Sequence, residues 1–141
     1  GWDLLEDEHR IIRIGNDSIV LLGVGNWGDP PFQQYGDLEK AYEGVSRDMF
    51  AILMSHNPVH WRDEVLPDTP IDLTLSGHTH AMQMRAGRIS PAALRYKDWA
   101  GLFREGNQYM YVNQGIGNVF FPMRIGNAYP EITLLELRTN Q

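Results

Sequence analysis

Three histidines stand where metal chemistry could use them. His78 and His80 flank Thr79 directly after the run Ile-Asp-Leu-Thr-Leu-Ser-Gly, and His56 follows Ser55 at the end of Met-Phe-Ala-Ile-Leu-Met. The chain has only five histidines in 141 residues, so their gathering behind two apolar runs is informative. Residues at i and i+2 of an extended chain face the same side, about 6.5–7 Å apart. Their imidazoles can converge on one ion, or each can hold one of two ions about 3.5–4 Å apart. A bare His-x-His is also a common pair of turn residues. His56, delivered by a second strand to the same rim, argues against that reading, because ligands collect at the carboxyl ends of strands in open α/β sheets. Neutral imidazoles without thiolates suit Zn, Mn or Fe. Three of them alone could also form a mononuclear zinc site with an open position for water.

The elements that must position these residues are mostly strands. Residues 9–24 read as a hairpin, and residues 25–36 as a loop rich in glycine and proline. Asp37 can cap a short helix in which Leu38, Tyr42 and Val45 share a face. The runs 49–56 and 71–77 are continuous and apolar, as expected of strands buried on both faces. Pro58 closes the first, and residues 59–66 can form one or two helical turns. Residues 86–98 show no period. Residues 99–115 read as a second hairpin turning at Glu105 to Asn107, and 131–137 as a last strand with Ile132, Leu134 and Glu136 opposite Thr133, Leu135 and Leu137. No repeat or linker divides the chain, so residues 1–141 form a single unit.

Composition narrows the field. A hydrophobic content of 43% and a charged content of 21% are those of a globular chain. The formal net charge of -6 repels phosphate backbones, so no nucleic-acid binding is expected. The absence of cysteine excludes disulfides, thiolate metal sites and thiol catalysis. No apolar run approaches eighteen residues, and the compartment is left open.

Ser-His-Asn-Pro (55–58) followed by Gly-His-Thr-His (77–80) resembles the C-terminal half of the calcineurin-like metallophosphoesterases. Residues 99–137 are similar to the closing hairpin, Gly-rich loop and final strand of a small bacterial, often membrane-associated branch. Gly-Val-Gly-Asn-Trp-Gly-Asp-Pro (23–30) is similar to the segment after that family's Gly-Asn-His-Asp motif. The resemblance implies an α/β fold, the C-terminal half of an α/β/β/α sandwich, strand-rich and incomplete as it stands. It implies two divalent ions (Mn, Fe or Zn) in the intact enzyme, with His56 and His78 on the second and His80 on the first. Their bridging hydroxide would attack the phosphorus of a phosphomonoester or phosphodiester.

Gly-Asp-x-x-Asp and Gly-Asn-His, which the family's first half supplies, are absent, and residues 1–8 hold no histidine. The expectation is therefore a C-terminal portion of a phosphoesterase domain whose catalytic histidine and bridging carboxylate lie in a missing N-terminal half. Such a portion would hold at most one ion weakly, would be inactive alone, and could self-associate through uncovered sheet. The alternatives are a mononuclear three-histidine zinc hydrolase, with Asp29 or Asp72 as its base, and a non-enzymatic binding module. No substrate-binding residue is assigned. Arg124 is equally readable as a phosphate partner or a surface charge. Asn-Gln-Gly-Ile-Gly-Asn (113–118) reads as a turn before a phosphate cradle, His9 and His60 as structural residues, and Trp27, Trp61 and Trp99 as packing.

Overall fold

The computed structural model describes residues 1–119 and 122–138. Strands β1 (Glu8–Ile14) and β2 (Asp17–Gly23) form the expected hairpin, closed by Gly15 and Asn16 with Gly15 at φ 62. A two-residue turn needs that left-handed backbone, which glycine adopts without a steric penalty. Helix α1 (Leu38–Tyr42) starts where the Asp37 carboxylate accepts from the Lys40 N–H at 2.9 Å. It stops three residues short of Val45 because the chain turns left-handed at Gly44.

Strands β3 (Phe50–Met54) and β4 (Leu73–Ser76) are the two apolar runs, joined through a π-helical turn at Trp61–Val65 and helix α2 at Leu66–Asp68. Short strand β5 (Met84–Arg85) pairs in parallel with β8 (Ile125–Gly126) as a separate two-stranded sheet. Strands β6 (Gly101–Glu105) and β7 (Gln108–Val112) form the second hairpin. The main sheet is mixed and six-stranded, in the order β1-β2-β3-β4-β7-β6. Its four inner strands run parallel, and an antiparallel strand closes each edge.

One face of this sheet carries the core. Val20, Leu22, Ala51, Leu53, Met110 and Val112 pack under Leu38 and Ala41 of α1 and under Trp61 and Val65. On the other face Ile12, Ile19 and Phe50 are cross-strand neighbours, and with Ile14 and Leu137 they line an open groove of about 870 Å³. Ile14 is 77% exposed.

The strand expected over residues 131–137 does not form. Glu131 makes one backbone bond, to the Gly115 carbonyl at 3.0 Å, and the segment belongs to no ladder. Strands β4 and β6 already occupy both sides of β7, so no ladder position beside β7 is free. The alternation is nonetheless real at its start, where Glu131 and Thr133 turn inward to bond the Tyr111 hydroxyl.

Candidate active site

The parallel register of β3 and β4 brings His56 and His78 together. Met54 pairs with Leu75, and the pairing continues beyond the strands as Ser55 N–H donates to Leu75 O and Gly77 N–H to His56 O, each at 3.0 Å. The His56 and His78 rings meet edge-on with centroids 5.3 Å apart. Their sharp turn falls on His78 itself, at φ 66, and not on Gly77 as the glycine's presence suggests. His80 opens a turn in which His80, Ala81, Met82 and Gln83 all have φ between 47 and 55. Four successive non-glycine residues in the left-handed region are costly, at about 1–2 kcal/mol each. The turn is held by tethers: Ser90 Oγ donates to Ala81 O at 2.8 Å, Gln83 Nε2 to Met123 O at 2.8 Å, and Val119 N–H to Gln83 Oε1 at 2.6 Å.

All three histidines line one cleft of about 740 Å³. Partial withdrawal from water pushes each of their pKa values down, and at His78 and His80 neighbouring rings and a guanidinium push the same way. Neutral rings with free lone pairs are what a metal ligand must be. The donors fit a metal in kind but fall short in number. Among the described residues no group of three or more His, Asp or Glu side chains is placed to enclose an ion.

The rest of the cleft was not legible in the sequence. The Tyr96 hydroxyl lies 2.9 Å from His78 Nε2, and Arg95 stacks on Tyr96 while its guanidinium bonds Asp29 at 3.0 Å. Asp29 also accepts from Asn57 Nδ2 at 2.9 Å, so the residue after His56 holds the opposite wall. Of the two candidate bases, Asp29 therefore stands in the cleft. Asp72 accepts from the Ala51 N–H at the other end of the sheet. Phe32 and Tyr35 supply an exposed apolar margin.

The remaining candidates lie elsewhere. His60 is fully buried, with Ser55 Oγ at 2.8 Å from Nδ1 and Glu64 Oε2 at 2.6 Å from Nε2, and this i,i+4 spacing to Glu64 was a readable signal. His9 Nδ1 is 3.0 Å from Ala41 O. Asp7 and His9 form an Asp-x-His at the start of the first hairpin. Asp7 accepts from the Gly25 and Asp37 N–H groups at 2.9 and 3.0 Å, and neither residue lines the cleft. Trp61 is core, and Trp99 carries Arg85 over its ring. The loop 113–118 turns carbonyls inward onto the Arg124 guanidinium, so Arg124 is tied to the loop and is no free surface charge.

Known proteins bear on this geometry. No protein-family profile matches the chain, and no solved structure does. Curated relatives do match. The chain is 39% identical over 89% of its length to a transmembrane protein with a metallophosphoesterase domain from Bos taurus, and covers 29% of that protein. It is 30% identical over 97% of its length to phosphodiesterase YaeI of Escherichia coli, covering 48% of it. It is 29% identical over 72% of its length to the UDP-2,3-diacylglucosamine pyrophosphatase LpxG of Chlamydia trachomatis, covering 32% of it. The chain thus spans less than half the length of each of these relatives. Gly-His-Thr-His and Ser-His-Asn-Pro on adjacent parallel strands, together with these likenesses, place the chain in the metallophosphoesterase family.

Proposed function

We propose that this chain is the histidine-bearing half of a metal-dependent phosphoester hydrolase, with His56, His78 and His80 as metal donors. The observation that supports it is that three imidazoles, carried beyond the ends of two parallel strands, line one cleft. Two dications a few ångströms apart repel and need anionic oxygen between them. Three neutral rings cannot provide it, so no hydrolytic step is derived for these residues alone. The carboxylates that complete an α/β/β/α sandwich site of two ions (Mn, Fe or Zn) come from a further N-terminal half, and the uncovered strip at Ile12, Ile14 and Phe50 is the surface left for it or for a second copy. Arg95 is the cation that lines the cleft among the described residues, and it is the group suited to a phosphate oxygen once it leaves Asp29.

Isothermal titration of the chain with Mn²⁺ and Zn²⁺ tests this reading. It expects at most one ion, bound more weakly than micromolar, and loss of that binding in His78→Ala. Submicromolar uptake of two ions per chain, or hydrolysis of bis(4-nitrophenyl) phosphate by the chain alone, would overturn it. One tightly held zinc would instead favour the mononuclear hydrolase.

A further inference from the structure

We infer that Arg124 is a positioning residue that fixes the ring of His80, acting through the glycine loop 114–117. Among the described residues no carboxylate pairs with Arg124. Its two terminal nitrogens meet backbone carbonyls instead: Nη2 donates to Gln114 O at 3.0 Å, Gly115 O at 3.0 Å and Gly117 O at 2.5 Å, and Nη1 to Ala128 O at 3.3 Å. Among the described residues its buried Nε meets no partner. A guanidinium can gather several carbonyls at once because its donors spread in a plane, which a lysine ammonium cannot match.

The gathered loop is the floor beneath His80. Arg124 Nη2 lies 3.5 Å from His80 Nδ1. Gly115, at φ 74, passes so close that a Cβ there would sit 3.1 Å from His80 Cε1 and 3.3 Å from Nδ1. The Nδ1 edge of the ring is thus turned toward the loop, where the Gly117 carbonyl also bonds the imidazole. The backbone cannot do this by itself, since His80 sits at the head of the strained left-handed turn. A site histidine is commonly oriented by what its other nitrogen meets. Here that partner is a loop shaped by a buried cation. The positioning stands on the geometry alone; its service to catalysis rests on the reading of His80 as a metal donor.

The test is long-range ¹H–¹⁵N correlation of the five imidazoles in the whole labelled chain at neutral pH. The wild type is expected to show His80 in a single tautomer. Arg124→Met is expected to turn it into a tautomeric mixture while His9 and His60 keep their signals, and Arg124→Lys is expected not to rescue it. Gly115→Ala should move the same His80 signals with Arg124 in place. A tautomeric mixture in the wild type overturns the inference without any variant having to fold. So do unchanged His80 signals in Arg124→Met, whatever that substitution does to the melting temperature. Zn²⁺ added to the wild type separates the two readings: His80 signals that are single but indifferent to Zn²⁺ remove the metal role and leave the positioning intact.

Discussion

The indole of Trp27 lies parallel to the imidazole of His60, tilted by 17° with ring centroids 4.3 Å apart. This stack joins the 25–36 loop to the π-helical turn. Asn57 reinforces it by donating to the Trp27 carbonyl at 2.8 Å. His60 is also the inner partner of Ser55 and Glu64, so one buried ring organises both sides of the residue that delivers His56 to the cleft. His60→Ala removes the stack and orphans the buried Ser55 hydroxyl, and is expected to destabilise the chain by about 2–4 kcal/mol. Urea denaturation checks this. A loss under 1 kcal/mol would show that the stack is incidental.

Acid acts on these rings in a definite direction. Burial lowers the pKa of His60, outweighing the opposing effect of the Glu64 carboxylate, and partial burial lowers His56, His78 and His80 as well. Below the ordinary histidine value of about 6.5 the unfolded chain therefore takes up protons that the folded chain refuses. Stability is full above that value and falls as the pH drops below it. Melting temperatures between pH 8 and pH 5.5 should decline, and His60→Gln should flatten the decline. A melting temperature that rises on acidification through this range contradicts the assignment.

Glu131 produces a second, lower window. Burial would raise its pKa, but hydrogen bonds from Tyr111, Thr133 and Gln114 outweigh that and hold it below its usual value. Its contribution is present above the unfolded carboxylate value of about 4.5 and is lost as the pH falls through the folded one. Glu131→Gln should remove the part of the acid unfolding curve that lies below the histidine window and leave the upper part unchanged.

Met82 offers a gain. It sits at φ 47 in the left-handed turn and is 37% exposed, so glycine there relieves backbone strain at the expense of the side chain's buried part. Met82→Gly is expected to raise stability by roughly 0.5–1 kcal/mol, the strain relieved less the added freedom of the unfolded chain. Differential scanning calorimetry should show a higher melting temperature. A lower one would mean that the side chain's contacts outweigh the strain.

Arg62 and Asp98 form a largely enclosed ion pair. Asp98 is 5% exposed and takes both Nε and Nη2 of the guanidinium, while Nη1 reaches Glu105 at 3.1 Å. Arg62→Ala leaves a buried carboxylate uncompensated and is expected to cost about 3 kcal/mol. Adding Asp98→Asn should recover a large part of that loss, which a double-mutant cycle measures.

What the sequence disclosed follows range. The two histidine-tipped strands were readable because each is a local apolar run ending abruptly in polar residues, and both hairpins because their two-residue turns are local. The segment 131–137 alternates like a strand, but alternation records which way side chains point and not whether a neighbouring ladder position is free. Asp29 and Arg95 meet across 66 residues of chain, and no spacing announces such a meeting. The left-handed turn hid for the opposite reason: His-Ala-Met-Gln carries no glycine, and tertiary tethers override the local preference.

The parallel register of β3 and β4 sets the height of each imidazole above the sheet. A slip of one residue would shift His56 by about 3.3 Å and turn it to the opposite face. Guardianship of the cleft thus extends to side chains that never see it, such as Leu53 and Thr74, a cross-strand couple sealed from solvent in the middle of the two strands. Damage to the histidine rim can begin there, in the interior, with every ring still present.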